Sequence, residues 1–245
     1  MRKLSILFIL LMASMSIFAF ELNTLIDSPT AGILQQGEAE ISAKIYKNNG
    51  LLIGTRVGLF PRFMFGVNYG AEEIVGNEDP QWHDRVEFNA KIRLMDESNQ
   101  LPAIAIGYDS QGHGNYNNSR YDIKSKGVYL TASKNFFLLG NLGIHGGINY
   151  SLETEDNDDE PNLFFGFDKT IGDMVVLLAE YDTGWNDNAD FKSDSVKGRG
   201  FFNASIDLHF TEALILKVSF YDLMLNLEDT EGCDRSITLL YNMTF

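Results

Sequence analysis

The residues best equipped for chemistry are four histidines, His83, His113, His145 and His209, and a large excess of carboxylates, 34 Asp and Glu against 19 Lys and Arg. None of the histidines lies in an HExxH pattern or at metal-ligand spacing from a cysteine or carboxylate, and no GxSxG nucleophile turn is present. A lipid-facing serine with a histidine partner, as an outer-membrane phospholipase needs, is not evident, because His145 and His209 fall on inward-facing positions of strand-like segments. The stretch Asp109-Ser110-Gln111-Gly112-His113-Gly114 is glycine-rich, but it follows a strand-like segment and opens no helix, so it does not read as a phosphate loop. Basic patches that would hold nucleic acid are absent. The expectation is a chain with no catalytic residue, no cofactor, no metal site and no nucleic-acid partner.

The charges fall into two kinds of place. Glu153, Glu155, Asp156, Asp158, Asp159 and Glu160 form a run without a basic residue, and Asp222, Glu228, Asp229, Glu231 and Asp234 form a second group. Each reads either as a solvated loop or as a negative rim that gathers cations, or that bridges to lipopolysaccharide through divalent ions. The first run lacks the glycine and the ligand spacing of an EF-hand. The other charges sit every second residue inside apolar segments: Arg56, Glu87, Lys91, Arg93, Glu180 and Asp207, with Glu40, Lys44, Asp168 and Lys217. Side chains of a strand alternate between two faces, so these belong to one wet face, where mutual ion pairing is expected. No continuous arginine ladder is present, which argues against a channel dedicated to acidic oligosaccharides.

The elements that carry these charges are strands. In 86–94, Val86, Phe88, Ala90, Ile92 and Leu94 alternate with Glu87, Asn89, Lys91 and Arg93. About twelve such segments recur between Ala39 and Phe245. Two are less clean: Val176 and Leu178 put apolar residues on the wet face, and Leu240 does the same in the last segment. Aromatics sit near many strand ends, as in the interfacial girdles of membrane barrels. The connections sort by parity. Pro61-Arg62, 96–100, 135–139, Gly172-Asp173 and Thr211-Glu212 are short, and after the tight Asn48-Asn49-Gly50 turn the alternate connections are long. The fold expected is therefore all-β, a transmembrane antiparallel up-and-down β-barrel of about twelve strands. A barrel of that size leaves room for an open lumen.

Both ends of the chain fit that reading. Met1-Arg2-Lys3 followed by an apolar run to Phe18 and then Ala19 has the layout of a signal peptide, giving a leader over 1–19 and a single barrel domain over 20–245. Loss of Arg2 and Lys3 takes the formal net charge from −15 to −17. No later segment is long and apolar enough for a spanning helix, and one cysteine, Cys233, excludes an internal disulfide framework. The final strand places Tyr241, Met243 and the terminal Phe245 on one apolar face. This ending resembles the C-terminal assembly signal of bacterial outer-membrane barrels, which implies the barrel assembly machinery as a partner and the outer membrane, with its lipid and lipopolysaccharide, as the location.

The segments DSPTAGIL (27–34), GLFPRFMFGVNYG (58–70), LPAIAIGYDSQG (101–112), YLTASKNF (129–136) and NLGIHGGINYSLE (141–153) resemble a group of uncharacterised bacterial envelope proteins of about this length. They are more distantly similar to YjbH-like outer-membrane barrels linked to exopolysaccharide production, which are far longer. That likeness implies an envelope or polysaccharide-export role and brings no site residues with it. Two functions are expected: a narrow channel for small hydrophilic solutes or glycans with an acidic outer mouth, or a non-conducting envelope protein accessory to surface polysaccharide.

Overall fold

Alternation of apolar and polar residues builds one sheet closed on itself. The computed structural model describes residues 21–74, 76, 79–117, 119–187, 197–227 and 232–245. The leader expected over 1–19, and Glu228, Asp229 and Glu231 of the second acidic group, lie outside the described residues. In chain order the strands are β1 (Glu38–Tyr46), β2 (Gly50–Phe60), β3 (Phe63–Glu72), the two-residue β4 (Gln81–Trp82), β5 (Glu87–Met95), β6 (Ala103–Asp109), β7 (His113–Asn117) and β8 (Arg120–Ile123). They continue with β9 (Gly127–Phe137), β10 (Asn141–Tyr150), β11 (Asn162–Ile171), β12 (Val175–Asp182), β13 (Phe201–His209), β14 (Leu214–Tyr221) and β15 (Asp234–Thr244). Twelve of them form the barrel wall, each pairing antiparallel with the next, and β15 pairs with β1 to close the ring. β4 only extends the edge of β3, and β7–β8 is a separate hairpin.

Closure satisfies every ladder and removes the exposed edges that an open sheet would present. The register puts Ile41 opposite Tyr241 and Ala39 opposite Met243, so the last strand shows its apolar set to the outside. That outside is greasy. Ile92, Ile144, Phe165 and Ile237 lie 46%, 50%, 50% and 52% exposed, and leucine, valine and phenylalanine occupy the neighbouring outward positions. Such a belt around a closed antiparallel barrel with an even strand count is the form taken by barrels of the bacterial outer membrane. The parity of the connections holds. β1–β2 is joined by Lys47–Asn49: Gly50 N–H donates to the Lys47 carbonyl (3.2 Å), and the two central residues of that turn, Asn48 and Asn49, lie at φ 57° and 52°, as a tight hairpin turn requires. The longer connections share that loop end, and the opposite turn end carries only short ones.

Candidate functional site

The wall alone does not fill the lumen. Many inward positions are small: Gly54, Gly58, Gly66, Ala103, Ala105, Ser133, Gly143, Gly147 and Gly166. Into the space they leave runs the segment 21–36, which enters at the turn end immediately before β1. It folds back on itself through a tight turn, with Leu25 N–H donating to the Ser28 carbonyl (2.9 Å) and Thr24 bridged to Pro29. At Gly58 any side chain would run into the backbone carbonyls of Leu34 and Gln35, so glycine there is what admits the root of this plug.

Apolar contacts and charges hold the plug. Ile33 and Leu34 pack on Met64, Ala31 on Ala103 and Ala105, and Leu25 and Ile26 on Leu178 and Tyr221 with Val176 beside them. The patch at Leu25 and Ile26 accounts for Val176 and Leu178 on the wet face of β12, whereas Leu240 lines the cavity beside the plug. Lys91 donates to the carbonyls of Asn23 (2.7 Å) and Gly32 (3.0 Å). Arg93 donates to the Ala31 carbonyl (2.7 Å) and pairs with Glu21. Lys217 donates to the Leu25 carbonyl (2.6 Å) and lies 3.5 Å from Asp207. Glu180, 2% exposed, takes the backbone N–H groups of Ile26 (3.0 Å), Asp27 (3.1 Å) and Ser28 (2.9 Å), plus the Asn203 amide (2.8 Å). Thus of the six lumen charges singled out by spacing, Lys91, Arg93 and Glu180 bind the plug and Asp207 pairs with a residue that does. Arg56 pairs within the wall with Glu40 (2.7 Å), and Glu87 pairs with Arg85 (2.6 Å). Mutual pairing accounts for only part of the set, because the plug's backbone supplies the other partners.

The loop end is covered by the β7–β8 hairpin, which leaves the wall after β6 and reaches the opposite side. His113 stacks on Tyr221 at 3.8 Å between ring centroids and bonds to Asp234 (2.8 Å). It also lies 3.6 Å from Asp27 at the tip of the plug, so the two inserts meet there, beside Lys44. Tyr121 reaches down to Glu87 (2.8 Å). The acidic run 153–160 divides. Glu155, Asp159 and Glu160 are exposed, whereas Glu153, Asp156 and Asp158 are buried. Glu153 caps the hairpin by accepting from the N–H groups of Tyr121 (2.9 Å) and Ser125 (3.1 Å), and burial pushes its carboxyl up. Asp156 lies between Arg120 (2.7 Å) and Lys124 (2.7 Å), and Arg120 also holds Asp187 (2.6 Å). Burial pushes Asp187 up to about 6 against the pull of Arg120. The basic partners come from the hairpin, some thirty residues away in sequence, where local spacing could not reveal them.

A cavity of about 890 Å³ remains around the plug. Its lining includes Glu97, Asn135, Asp173 and Thr211, residues at or beside the turns, so it reaches the turn end. It is also lined by a hydrogen-bonded series that sequence reading did not find. Ser133 on β9, His145 on β10 and Asp168 on β11 are linked, with Oγ to Nδ1 at 2.8 Å and Nε2 to Oδ1 at 2.8 Å. The three residues are spread over neighbouring strands and share no linear motif. Tyr241, Met243 and Phe245 face outward at the turn end of β15. Among the described residues no group of His, Cys, Asp and Glu is arranged to hold a metal ion.

A family model described as "Exopolysaccharide biosynthesis protein YbjH" matches residues 16–221. Among solved structures the chain is similar to a "KdgM porin", at 10% identity and a TM-score of 0.48, over 85% of this chain and 99% of that one. It is also similar to the outer membrane channel DcaP of Acinetobacter baumannii, at 9% identity and a TM-score of 0.31, over 85% of this chain and 95% of that one. No curated protein matches the chain.

Proposed function

The chain belongs to the YjbH family, and from that premise we propose that it is an outer-membrane channel for small hydrophilic solutes or glycans, held shut by its own N-terminal segment. The observation that carries this reading is the division of labour inside the barrel. Many of the wall's inward side chains are small, and a separate, non-covalently seated segment occupies the space they leave. A wall meant only to be solid would fill itself with large side chains. The family's description makes glycans the favoured solute class. The long loops face outside, the turns face the periplasm, and the exposed carboxylates Glu155, Asp159 and Glu160 give the outer mouth a preference for cations. Lipid and lipopolysaccharide surround the belt, and Tyr241, Met243 and Phe245 serve as the signal read by the barrel assembly machinery.

The test is single-channel recording of the purified full-length protein in planar bilayers, beside a Glu180→Gln variant whose plug is loosened. Rare openings in the parent and frequent ones in the variant are expected. The second reading, a non-conducting barrel accessory to surface polysaccharide, is favoured by the hairpin that covers the loop end in addition to the plug. A silent bilayer with both proteins would establish that reading and remove the channel.

A further inference from the structure

We propose that Ser133, His145 and Asp168 form a serine hydrolase centre inside the barrel, acting on acyl esters of hydroxyl-rich carriers such as O-acylated saccharides. Ser133 and His145 are cross-strand partners on β9 and β10, and Asp168 sits diagonally on β11, opposite Gly143. The plug adds one donor to the series. Ala31 N–H donates to Ser133 Oγ at 2.7 Å, and a backbone N–H can only donate. Ser133 Oγ keeps a second lone pair and its proton, and in the tautomer that carries a proton on Nε2, toward Asp168, His145 Nδ1 accepts that hydroxyl proton. This is the arrangement in which a base can remove the serine proton while a carboxylate fixes the tautomer and balances the imidazolium. The ring nitrogens exchange the roles they have in the familiar proteases, and the proton path is the same. Gly143 is part of the construction: a side chain there would overlap the Asp168 carboxylate and come within 2.7 Å of His145 Nε2.

All three residues line the cavity of about 890 Å³ that reaches the turn end, a volume within the range of small-ligand pockets of about 300–1,000 Å³. Beside the series the same cavity is lined by Glu97, Asn135 and Asn141, polar groups of the kind that bind a hydroxylated carrier. In the reaction Ser133 Oγ attacks the ester carbonyl carbon and its proton passes to His145 Nδ1. The tetrahedral species expels the alcohol, which takes the proton from His145. A water, deprotonated by His145, then attacks the acyl-serine, releasing the carboxylic acid and restoring Ser133. Ester and water give alcohol and acid, with no further reactant. The activity is independent of conductance, so it stands or falls separately from the channel.

The direct test is labelling of the folded full-length protein in detergent with a fluorophosphonate probe, with the modified peptide located by mass spectrometry. Hydrolysis of p-nitrophenyl acetate is measured in parallel. Covalent modification of Ser133 is expected, and Ser133→Ala should abolish it. His145→Gln and Asp168→Asn should each slow ester hydrolysis by about a hundredfold or more, as loss of a general base does. Rescue of hydrolysis at raised pH in His145→Gln would mark a base rather than a strut. The labelling needs no variant, so folding defects cannot obscure it. An unlabelled Ser133 in the parent and in the plug-loosened Glu180→Gln protein, or ester hydrolysis unchanged by Ser133→Ala, would overturn the proposal and leave a structural relay.

Discussion

Replacing Glu180 by glutamine should unseat the plug without disturbing the barrel. Its carboxylate accepts the N–H groups of Ile26, Asp27 and Ser28 and the Asn203 amide. Hydrogen bonds to a buried charged acceptor contribute about 1.5–3 kcal/mol each. Glutamine keeps the shape but has one acceptor oxygen. If its amide nitrogen takes the position of Oε2, it faces the donors Ile26 and Ser28. If it takes the position of Oε1, it faces Asp27 and Asn203. Asp27 N–H also reaches Oε2 (3.2 Å), so the second orientation loses only the Asn203 bond outright; the survivors lose the charge, and solvation of the displaced tip recovers part of the loss. A net cost of about 3 kcal/mol lowers the ratio of seated to displaced plug by roughly 100-fold at about 1.4 kcal/mol per decade. Hydrogen–deuterium exchange of the detergent-solubilised protein reads this directly. Peptides covering 21–36 should lose protection by about two decades, while β9 to β11 keep theirs. Equal, slow exchange of 21–36 in parent and variant would refute the assignment of Glu180 as the clamp.

Gly58→Val should drive out the root of the plug, because a side chain at 58 meets backbone rather than a movable group; a protease added from the turn end should then cut within 21–36, and unchanged resistance would count against the close approach. Asp187, raised to about 6 by burial, gives the hairpin cap a pH dependence of defined sign. Its folded value lies above the ordinary carboxylate value, so the cap takes up a proton on forming and is more stable at pH 5 than at pH 7. Exchange of the Tyr121–Lys124 amides, corrected for intrinsic rate, should show this, and Asp187→Asn should flatten the dependence. Neutralising Glu155, Asp159 and Glu160 together should leave the barrel folded and reduce cation preference in reversal-potential measurements; an unchanged preference would remove the acidic mouth. Neutralising Glu153 and Asp156 should instead expose the hairpin to proteolysis, because those carboxylates hold Tyr121, Ser125, Arg120 and Lys124.

The wall was legible because a membrane barrel writes its two faces into every second residue. All twelve wall strands coincide with alternating segments, and the parity of loop lengths gave the two ends. The contents of the barrel were not legible, for a physical reason. A segment bound by backbone groups, as 21–36 is by Lys91, Arg93 and Glu180, leaves no side-chain pattern of its own. Its trace lies in the exceptions on the wall. Val176 and Leu178 interrupt the wet face of β12, and with Met64 they form part of the seat of the plug. The hairpin was hidden in a long loop, since Arg120, Lys124 and their acidic partners meet only across the barrel mouth. His145 and Asp168 were each placed on inward positions, but their union with Ser133 depends on the stagger of three strands, which period-two alternation does not fix.

Gly37 joins the plug to the wall. Its φ is +87°, its N–H donates to Gly58, and its carbonyl accepts from the terminal Phe245. The junction is therefore pinned on both sides, and the plug hangs from it by only a residue or two. A displaced plug stays captive, at a local concentration no added peptide can match. Reclosure is unimolecular: it does not weaken on dilution and cannot be removed by dialysis. Because the same glycine is stitched to the last residue of the chain, sealing of the seam and capture of the pendulum are completed by the same few bonds.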